Sequence, residues 1–568
     1  MRKKLSIIIL LCILASLLFS PAALSQDYQV IRVLLTNLNV DQQVHIGVYG
    51  GYSVDGILSF QRGSDIVVSA ENNTLMLYHE GLAYNGGKEL LFTRHGVPSD
   101  QENGLRLQHG LNLYEGNLSL SLQEGKIQPI LHIAVEDYLK GVVPYEMNEA
   151  FPAEALKAQA VAARTYALRN LKPNKQYDVV DNTNDQVYRG FLAQHTNALK
   201  AVEETSGICG MFEGKLAMCY YTASNGGQTE SPKNVWGGGS IKYLPIQDDP
   251  YDLKNPESIV RRALIEKKSQ DHLIGTPELT AYIKDKLQPV LEKRGYNPQS
   301  DTFYIDEVAS VVAQKPKYGN ESRVMTELEF SLHVAAQRRY IVSNDQEVSL
   351  YLVNQPVLPP ASTSSAQPQW LPAQRIQEAF IVHVPIFPDA EKALQLSINL
   401  KENEIFLVEE STDAFSLSMQ RYGHGVGMSQ RGAQQMAQEH GWDYQQILKF
   451  YYPGMELKAF NTTRELSTAL PAQYLSTPGP VPTATPRPTL MPQSITPGEN
   501  QYVVAVTGVA MNSTLNLRSQ PNMVSDVIMQ LFYGQELLVV GKKDDGWLQV
   551  KTDVAEGYVM EKFVNVKE

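Results

Sequence analysis

Short runs in which apolar and polar residues alternate fill residues 27 to about 130, as in Tyr28-Gln29-Val30-Ile31-Arg32-Val33-Leu34-Leu35. Alternation with a period of two predicts half-buried strands, and the breaks at Gly50-Gly51, Asn72-Asn73 and Gly86-Gly87 predict turns between them. This part reads as a β-rich module. The period then changes. Pro152 suits a first helical turn, and Ala153 to Asn170 is nearly all strong helix formers. Its apolar stripe is Leu156, Ala160, Ala163 and Ala167, mostly small residues that let neighbouring backbone approach closely. Residues 255–295 read as helical and charged. Residues 300–415 read as strands mixed with a surface loop rich in Pro, Ser, Thr and Ala from Pro356 to Pro368. Ser429 to His440 reads as a helix launched from a glycine-rich turn. From Ser476 to Asn500 the chain turns to Thr and Pro, which bury no core and stay extended as a semi-rigid spacer. Residues 501–568 form a compact β pattern with turns at Tyr533-Gly534 and Asp545-Gly546.

Composition bounds the class. The 568 residues are 43% hydrophobic and 19% charged, which sets aside collagen-like, wholly disordered and polytopic membrane readings. At roughly 150 residues per domain, three to four domains are expected. A net charge of −12 argues against a general nucleic-acid binder, which shows a basic face. The basic start Met1-Arg2-Lys3-Lys4, the apolar run Leu5 to Phe19 and the small-x-small triplet Ala23-Leu24-Ser25 form a secretory signal pattern. The competing reading is a retained anchor helix, but the run is short for a span of about 20 residues. Cys12 lacks the small residues that precede a lipoprotein cleavage site. Export is the expectation.

Removal after Ser25 leaves two cysteines, Cys209 and Cys219, in a stretch that reads as a hairpin turning at Glu213-Gly214-Lys215. A three-residue loop centred on Gly214 sets the two face to face, and an oxidising compartment permits a disulfide there; a two-residue Glu213-Gly214 turn leaves them diagonal. Two cysteines make a weak zinc signal even with His195 as the nearest third ligand, because a structural site wants four. No metal is expected.

The chain has no HExxH, no GxSxG elbow and no GxxxxGK phosphate loop, and Gly423-His424-Gly425-Val426-Gly427 does not fit GxGxxG, so no cofactor is expected. The informative stretch is residues 135–168. There Glu146 lies among Pro144, Tyr145, Met147 and Phe151, and a carboxyl in apolar surroundings is desolvated, which suits it to be a general acid near neutral pH. The plain alternative is that Glu146 caps the following helix. Lys157 and Arg164 are seven residues apart and share one helical face, either solvated or holding an anion.

This stretch resembles the signature of the SpoIID/LytB family, the stage II sporulation protein D and amidase-enhancer group of bacterial cell-wall proteins. Further matches follow in chain order: Gln186-Val187-Tyr188-Arg189-Gly190, Tyr221 to Glu230 leading to Val235-Trp236-Gly237, Tyr243-Leu244, and residues 423–457. The family's usual Glu-Met-Pro is Glu146-Met147-Asn148 here, and its Ser-Ser-Gly-Gly is Ser224-Asn225-Gly226-Gly227. Residues 501–568, with Ser513 to Pro521, Gly534 to Val540, Gly546 to Val550 and Gly557-Tyr558-Val559 in order, resemble a bacterial SH3 domain, a small β-barrel that commonly binds cell-wall peptides.

These resemblances imply an α+β, multidomain protein: a mixed α/β SpoIID-type catalytic core with a β-rich N-terminal part and a C-terminal SH3-like β-barrel. The expected parts are a signal peptide (1–25), the β-rich part (26–130), the core with the glutamate (131–253), an insertion or second lobe (254–415), the last family motif (416–460), the Thr/Pro linker (476–500) and the SH3 module (501–568). The implied activity is a lytic transglycosylase acting on peptidoglycan glycan strands. Glu146 would protonate the glycosidic oxygen and then, as carboxylate, take the C6 hydroxyl proton as the 1,6-anhydro ring closes. Lys157 and Arg164 would hold the free lactyl carboxylate of peptide-stripped glycan. Tyr188, Ser224, Gly226, Gly227, Trp236 and His424 are the other expected substrate-binding residues. The SH3 module would hold cell-wall peptides and raise the local concentration of the enzyme at the wall. The rival is a non-catalytic, LytB-like wall-binding enhancer whose partner is an N-acetylmuramoyl-L-alanine amidase. Both readings place the protein outside the cytoplasm, associated with the cell wall.

Overall fold

The computed structural model describes residues 30–98, 101–319, 321–340, 369–462 and most of 502–566. The signal pattern 1–25, the loop 356–368 and the linker 476–500 lie outside the described residues. So does the Tyr533-Gly534 turn. The described chain forms two compact units, one of residues up to 150 with 170–199 and those from 461 on, the other of residues 151–169 with 200–460. Helices and sheets are mixed through both, as the expected α+β class requires. Among the described residues no helix is long and apolar enough to cross a membrane.

The first unit carries the predicted β-rich module as two sheets. The seven-stranded one runs Val179–Val180, Val30–Leu34, Lys126–Ala134, Gly116–Gln123, Glu89–His95, Gly51–Val54, Leu58–Phe60; only its first pair is parallel. The alternation read from the sequence is the alternation of burial: Ile31 and Val33 are fully buried while their neighbours are half-buried. The five-stranded one runs Leu82–Asn85, Thr74–His79, Asp65–Glu71, Gln43–Val48, Leu105–Leu107. Asn72 and Asn73, at φ 48 and 62, make the two-residue turn between its strands, a positive-φ pair that asparagine tolerates.

Strand Lys126–Ala134 feeds helix Val135–Lys140, whose first turn holds Glu136 and Asp137 against the positive end of the helix dipole. After Gly141 comes a single helical turn, Val143–Glu146, with Pro144 in its first positions and an extended Met147 ending it. Glu146 is thus the last residue of a short turn hung directly from the central sheet. The strand Val179–Val180 is tied to the sheet edge by Arg32, whose Nε and Nη2 donate to Asp178 at 3.0 and 2.8 Å, and by Asp181, which accepts from the Thr36 N–H at 2.9 Å. That anchor sets the course of residues 186–190.

In the second unit, helix Ala153–Arg169 is where the sequence places it, but it is not amphipathic. Leu156, Ala158, Gln159, Val161, Ala162, Arg164 and Thr165 are all buried together with the expected alanine stripe, because small side chains let other elements close over nearly every side. Ser429 caps helix Gln430–His440 by accepting the Gly432 N–H. Residues 255–295 are only partly helical. Val260–Glu266 is a strand paired with Ala414–Gln420, and the helix spans Pro277–Lys293 with Thr276 as its cap. This helix packs on strands Phe303–Pro316, Met325–Ala336 and Phe380–Pro385 around a core that includes Ile283, Leu287, Phe303, Phe330, Leu332 and Val384.

The C-terminal module is a seven-stranded antiparallel sheet wrapped on Val504, Leu517, Leu537, Leu548, Val550 and Val559. Its end strands, Val527–Phe532 and Val564–Val566, do not pair with each other among the described residues.

Candidate active site

Glu146 is half-buried, and its Oε1 accepts the main-chain N–H of Val187 at 2.7 Å. Burial alternates along 186–190, with Gln186, Tyr188 and Gly190 inside, Val187 half-buried and Arg189 exposed, the pattern of an extended segment. Three further bonds clamp this segment to the turn that carries Glu146. The Arg189 N–H donates to Gly141 O at 3.0 Å, and Asn112 Nδ2 donates both to Arg189 O at 2.6 Å and to the Tyr145 hydroxyl at 2.7 Å. Tyr145 meets His195 edge-on at 5.3 Å, and burial pushes the phenol of Tyr145 up to about 12. Burial also holds the His195 imidazole below its usual value against the opposing effect of Glu149. The result is a carboxyl held by main chain at the edge of solvent, a geometry suited to giving and taking one proton.

Tyr188 is one of the expected substrate-binding residues. It is 1% exposed, stacked on Tyr138 at 5.2 Å and edge-on to Tyr114 at 5.9 Å, so its ring belongs to the core. Gly141 owes its identity to this ring, since a Cβ there would lie 2.5 Å from Tyr188.

The remaining expected residues lie in the second unit. Ser224 is buried and donates to Asp252 Oδ1 at 2.8 Å, while Asp252 also accepts the N–H groups of Asn225 and Gly226. Asn225 donates to Asp249 at 2.7 Å, and Asn225 Oδ1 accepts from the Gly227 N–H at 2.9 Å. Arg421, fully buried, gives hydrogen bonds to the carbonyls of Asn225, Gln228 and Asn403, each at 3.0 Å, and lies 3.6 Å from the equally buried Glu230. Gly226, at φ +68, sits so close that a Cβ would meet Arg421 N at 2.8 Å. Ser224, Gly226 and Gly227, expected to bind substrate, therefore form an internally satisfied structural turn.

Trp236 and His424 are placed differently. Trp236 ends the short helix Pro232–Trp236 and is 52% exposed, packed against Tyr220 at 4.7 Å and His424 at 5.0 Å. Burial and the positive Arg421 push His424 down to about 4, so the ring is neutral at ordinary pH. Its Nδ1 accepts from the Val426 N–H at 3.0 Å, which places the ring proton on Nε2. The three rings make a neutral aromatic shelf in which Trp236 is exposed and Tyr220 and His424 are half-buried.

Lys157 and Arg164 do not form the expected anion-holding face. Arg164 is fully buried, with Nη1 donating to Ile208 O at 3.2 Å and Nη2 to Val202 O at 3.2 Å, near the end of helix Thr196–Glu204. Lys157 pairs with Glu154 and Glu204, both at 2.8 Å, and these two carboxylates raise it to about 12. Spacing put the two cations on one side of a helix but could not say what covers that side.

The hairpin also departs from expectation. Met211 pairs with Leu216 and Phe212 with Lys215, so the turn is the two-residue Glu213-Gly214, at φ 48 and +77. Cys209 and Cys219 are thus out of register for a disulfide and are buried thiols not joined to each other; Cys209 Sγ donates to Gly207 O at 3.7 Å and Cys219 Sγ to Met455 Sδ at 3.6 Å. Among the described residues no three His, Cys, Asp or Glu side chains group as a metal site would need.

Sequence reading missed Asn112, the Val187 N–H, Tyr220 and the Arg421–Glu230 pair. Tyr220 had a signal, an extra aromatic directly before the quoted Tyr221 motif. Val187 and Glu230 lie inside quoted motifs that gave no sign of these roles, and Asn112 and Arg421 leave no signal.

Comparison with known proteins places these features. Residues 123–212 match the family model described as Stage II sporulation protein (SpoIID), and residues 513–565 match the bacterial SH3 domain, the two resemblances read from the sequence. An uncharacterized protein of Brachyspira hyodysenteriae is 26% identical over 447 residues, covering 77% of this chain and 94% of its own. The amidase enhancer of Bacillus subtilis is 29% identical over 325 residues, 57% of this chain and 40% of that protein. Stage II sporulation protein D of Bacillus amyloliquefaciens is 28% identical over 203 residues, 31% of this chain and 59% of that protein. The chain thus spans less than two thirds of each of these two Bacillus relatives.

Proposed function

We propose that the protein is an exported, wall-associated lytic transglycosylase that cuts peptidoglycan glycan strands. One observation carries the reading: Glu146 is held through Oε1 by Val187, and both residues fall inside the segment that matches the SpoIID family model. In the proposed reaction the Glu146 carboxyl gives its proton to the glycosidic oxygen between N-acetylmuramic acid and N-acetylglucosamine, which leaves as the 4-hydroxyl of the glucosamine. The resulting carboxylate takes the proton of the muramic C6 hydroxyl as that oxygen bonds to C1. Glu146 ends as it began, no water is consumed, and the product is a 1,6-anhydro end. A second carboxylate is needed only where an external water or an enzyme nucleophile attacks the sugar, so one carboxyl suffices. The exposed Trp236, with the half-buried Tyr220 and His424 rings against it, is the proposed seat for a sugar face, whose C–H groups pack on neutral rings. The SH3 module, on its Thr/Pro spacer, is proposed to hold the enzyme to the wall through cell-wall peptides.

The test is mass spectrometry of peptide-stripped glycan incubated with the full mature chain and with Glu146→Gln. Products ending in 1,6-anhydro-muramic acid with the first protein and none with the second support the reading, and intact glycan with both overturns it. The second reading, a wall-binding enhancer of an amidase, draws on the similarity to the amidase enhancer. It predicts intact glycan and a faster partner amidase.

A further inference from the structure

Strand Phe380–Pro385 lies at the edge of its sheet. It pairs with Met325–Ala336 and with no strand beyond, and among the described residues no other main chain bonds to residues 380–384. Such an edge offers unpaired N–H and C=O groups to an extended chain. Helix Pro277–Lys293 packs beside it, and residues of both line a groove of about 400 Å³. The floor is apolar, with Leu287, Phe380 and Val382 all buried. The helical wall is Lys286, Val290 and Arg294, spaced four apart and so on one face. Val290 is 39% exposed, open to an apolar side chain. No carboxylate lines the groove, and its titratable members are Lys286, Arg294 and His383. Arg294 lies over the Phe380 ring at 4.6 Å and meets Glu378, outside the lining, at 2.9 Å. His383 Nδ1 is 2.9 Å from Glu327. Lys286 stands over the Tyr282 ring at 5.2 Å, and among the described residues no carboxylate pairs with it. A chain of net charge −12 thus keeps a basic rim here.

We propose that this groove docks an extended acidic segment of a partner protein, which adds as a strand to the open edge of Phe380–Pro385. Main-chain bonds to the edge supply affinity, and pockets for alternate side chains supply specificity. With a period of two, every second side chain of the added strand points to the helix side. An apolar residue there packs on Val290 and the floor, and a carboxylate meets Lys286 or Arg294. Residues 254–415 then carry a recruiting surface, and the assignment stands whether or not the chain cuts glycan.

The probe is a fluorescent peptide that repeats Val-Thr-Glu-Thr, so that one face alternates valine and carboxylate. Its binding to the full mature chain is read by anisotropy. The controls are the same peptide with Lys for Glu, two versions N-methylated at alternate residues in either register, and polyphosphate. The acidic peptide should bind, and about tenfold more tightly than the Lys version. One N-methylated register should lose binding, because its blocked amides are those that face the edge. Lys286 and Val290 are exposed, so Lys286→Glu and Val290→Glu should each weaken binding about tenfold with an unchanged melting temperature. No binding of the acidic peptide, equal binding of the Lys version, or binding that both variants leave intact overturns the proposal. Full binding of both N-methylated registers overturns it too, since no strand is then added. Polyphosphate bound in preference to the peptide, and lost with the same variants, assigns the groove to a phosphate polymer and likewise overturns it.

Discussion

Glu146 and Val187, separated by 41 residues, are joined by a hydrogen bond from the Val187 N–H to the Glu146 carboxylate at 2.7 Å. The donor is main chain, and the Arg32–Asp178 pair and the Asn112 and Gly141 contacts hold that main chain. One oxygen of the carboxyl is therefore aimed by backbone, and its position depends on the length of its own side chain.

That dependence is testable with Glu146→Asp. One methylene shorter, the aspartate keeps its chemistry but moves its carboxyl by more than 1 Å from the aimed position. A loss of about 100-fold in release of anhydro ends is expected, the usual cost of such a misplacement, with an unchanged melting temperature. Activity within threefold of the parent would show that the Val187 bond does not set the geometry.

Arg421 and Glu230 are both fully buried and 3.6 Å apart. Arg421→Met leaves Glu230 buried without its counter-charge and three carbonyls without their donor. About 3–5 kcal/mol of stability should be lost, read as a lower melting temperature and faster proteolysis of the second unit. The double variant with Glu230→Gln should recover part of it. A single variant as stable as the parent would remove this pair from the supports of the Ser224–Gly227 turn.

Glu115 sits in a charged cluster in which Arg94 reaches Glu115 at 3.4 Å and Asp137 at 3.2 Å, and Lys140 reaches Asp137 at 2.8 Å. Burial, and then the negative Asp137, raise Glu115 to about 7, against the pull of Arg94 and Lys140; its Oε2 has no partner. A carboxyl raised by folding contributes stability below its ordinary value near 4.5 and loses that contribution as pH rises to about 7. Glu115→Gln should therefore match the parent near pH 4.5, gain on it up to about pH 7 and hold a constant lead above that. Melting curves across that range check the slope, and a gap that shrinks with pH would reverse the assignment.

Trp236 is exposed and contributes its face to a shelf. Trp236→Ala should leave the melting temperature nearly unchanged and weaken binding of peptide-stripped glycan about three- to tenfold, the range for one aromatic contact. Isothermal titration with the Glu146→Gln chain measures this, and undiminished binding would reduce the shelf to surface packing.

Much of this protein is determined within a few residues of chain. The strand alternation of residues 30–134, the helix over 153–169, the Ser429 cap and the Asn72-Asn73 turn follow from period, propensity and turn chemistry. Those are properties of short segments, readable before anything packs. The ordered motifs likewise identify the segment holding Glu146, because a long motif in order leaves few alternatives.

Tertiary packing decided the roles of individual side chains. A spacing of seven places Lys157 and Arg164 on one side of a helix, yet which sides of a helix are covered depends on elements far away in sequence, and here nearly all are. Tyr188 and Arg189 are neighbours in one motif, and only the sheet edge to which residues 178–181 are tied turns the tyrosine into the core and the arginine out to solvent. The hairpin register that separates Cys209 from Cys219 turned on one residue of loop length, a difference of a few tenths of a nanometre that the chain settles only once the strands pair. Local sequence sets what each segment can be; burial, which is a sum over distant contacts, sets what each side chain is free to do.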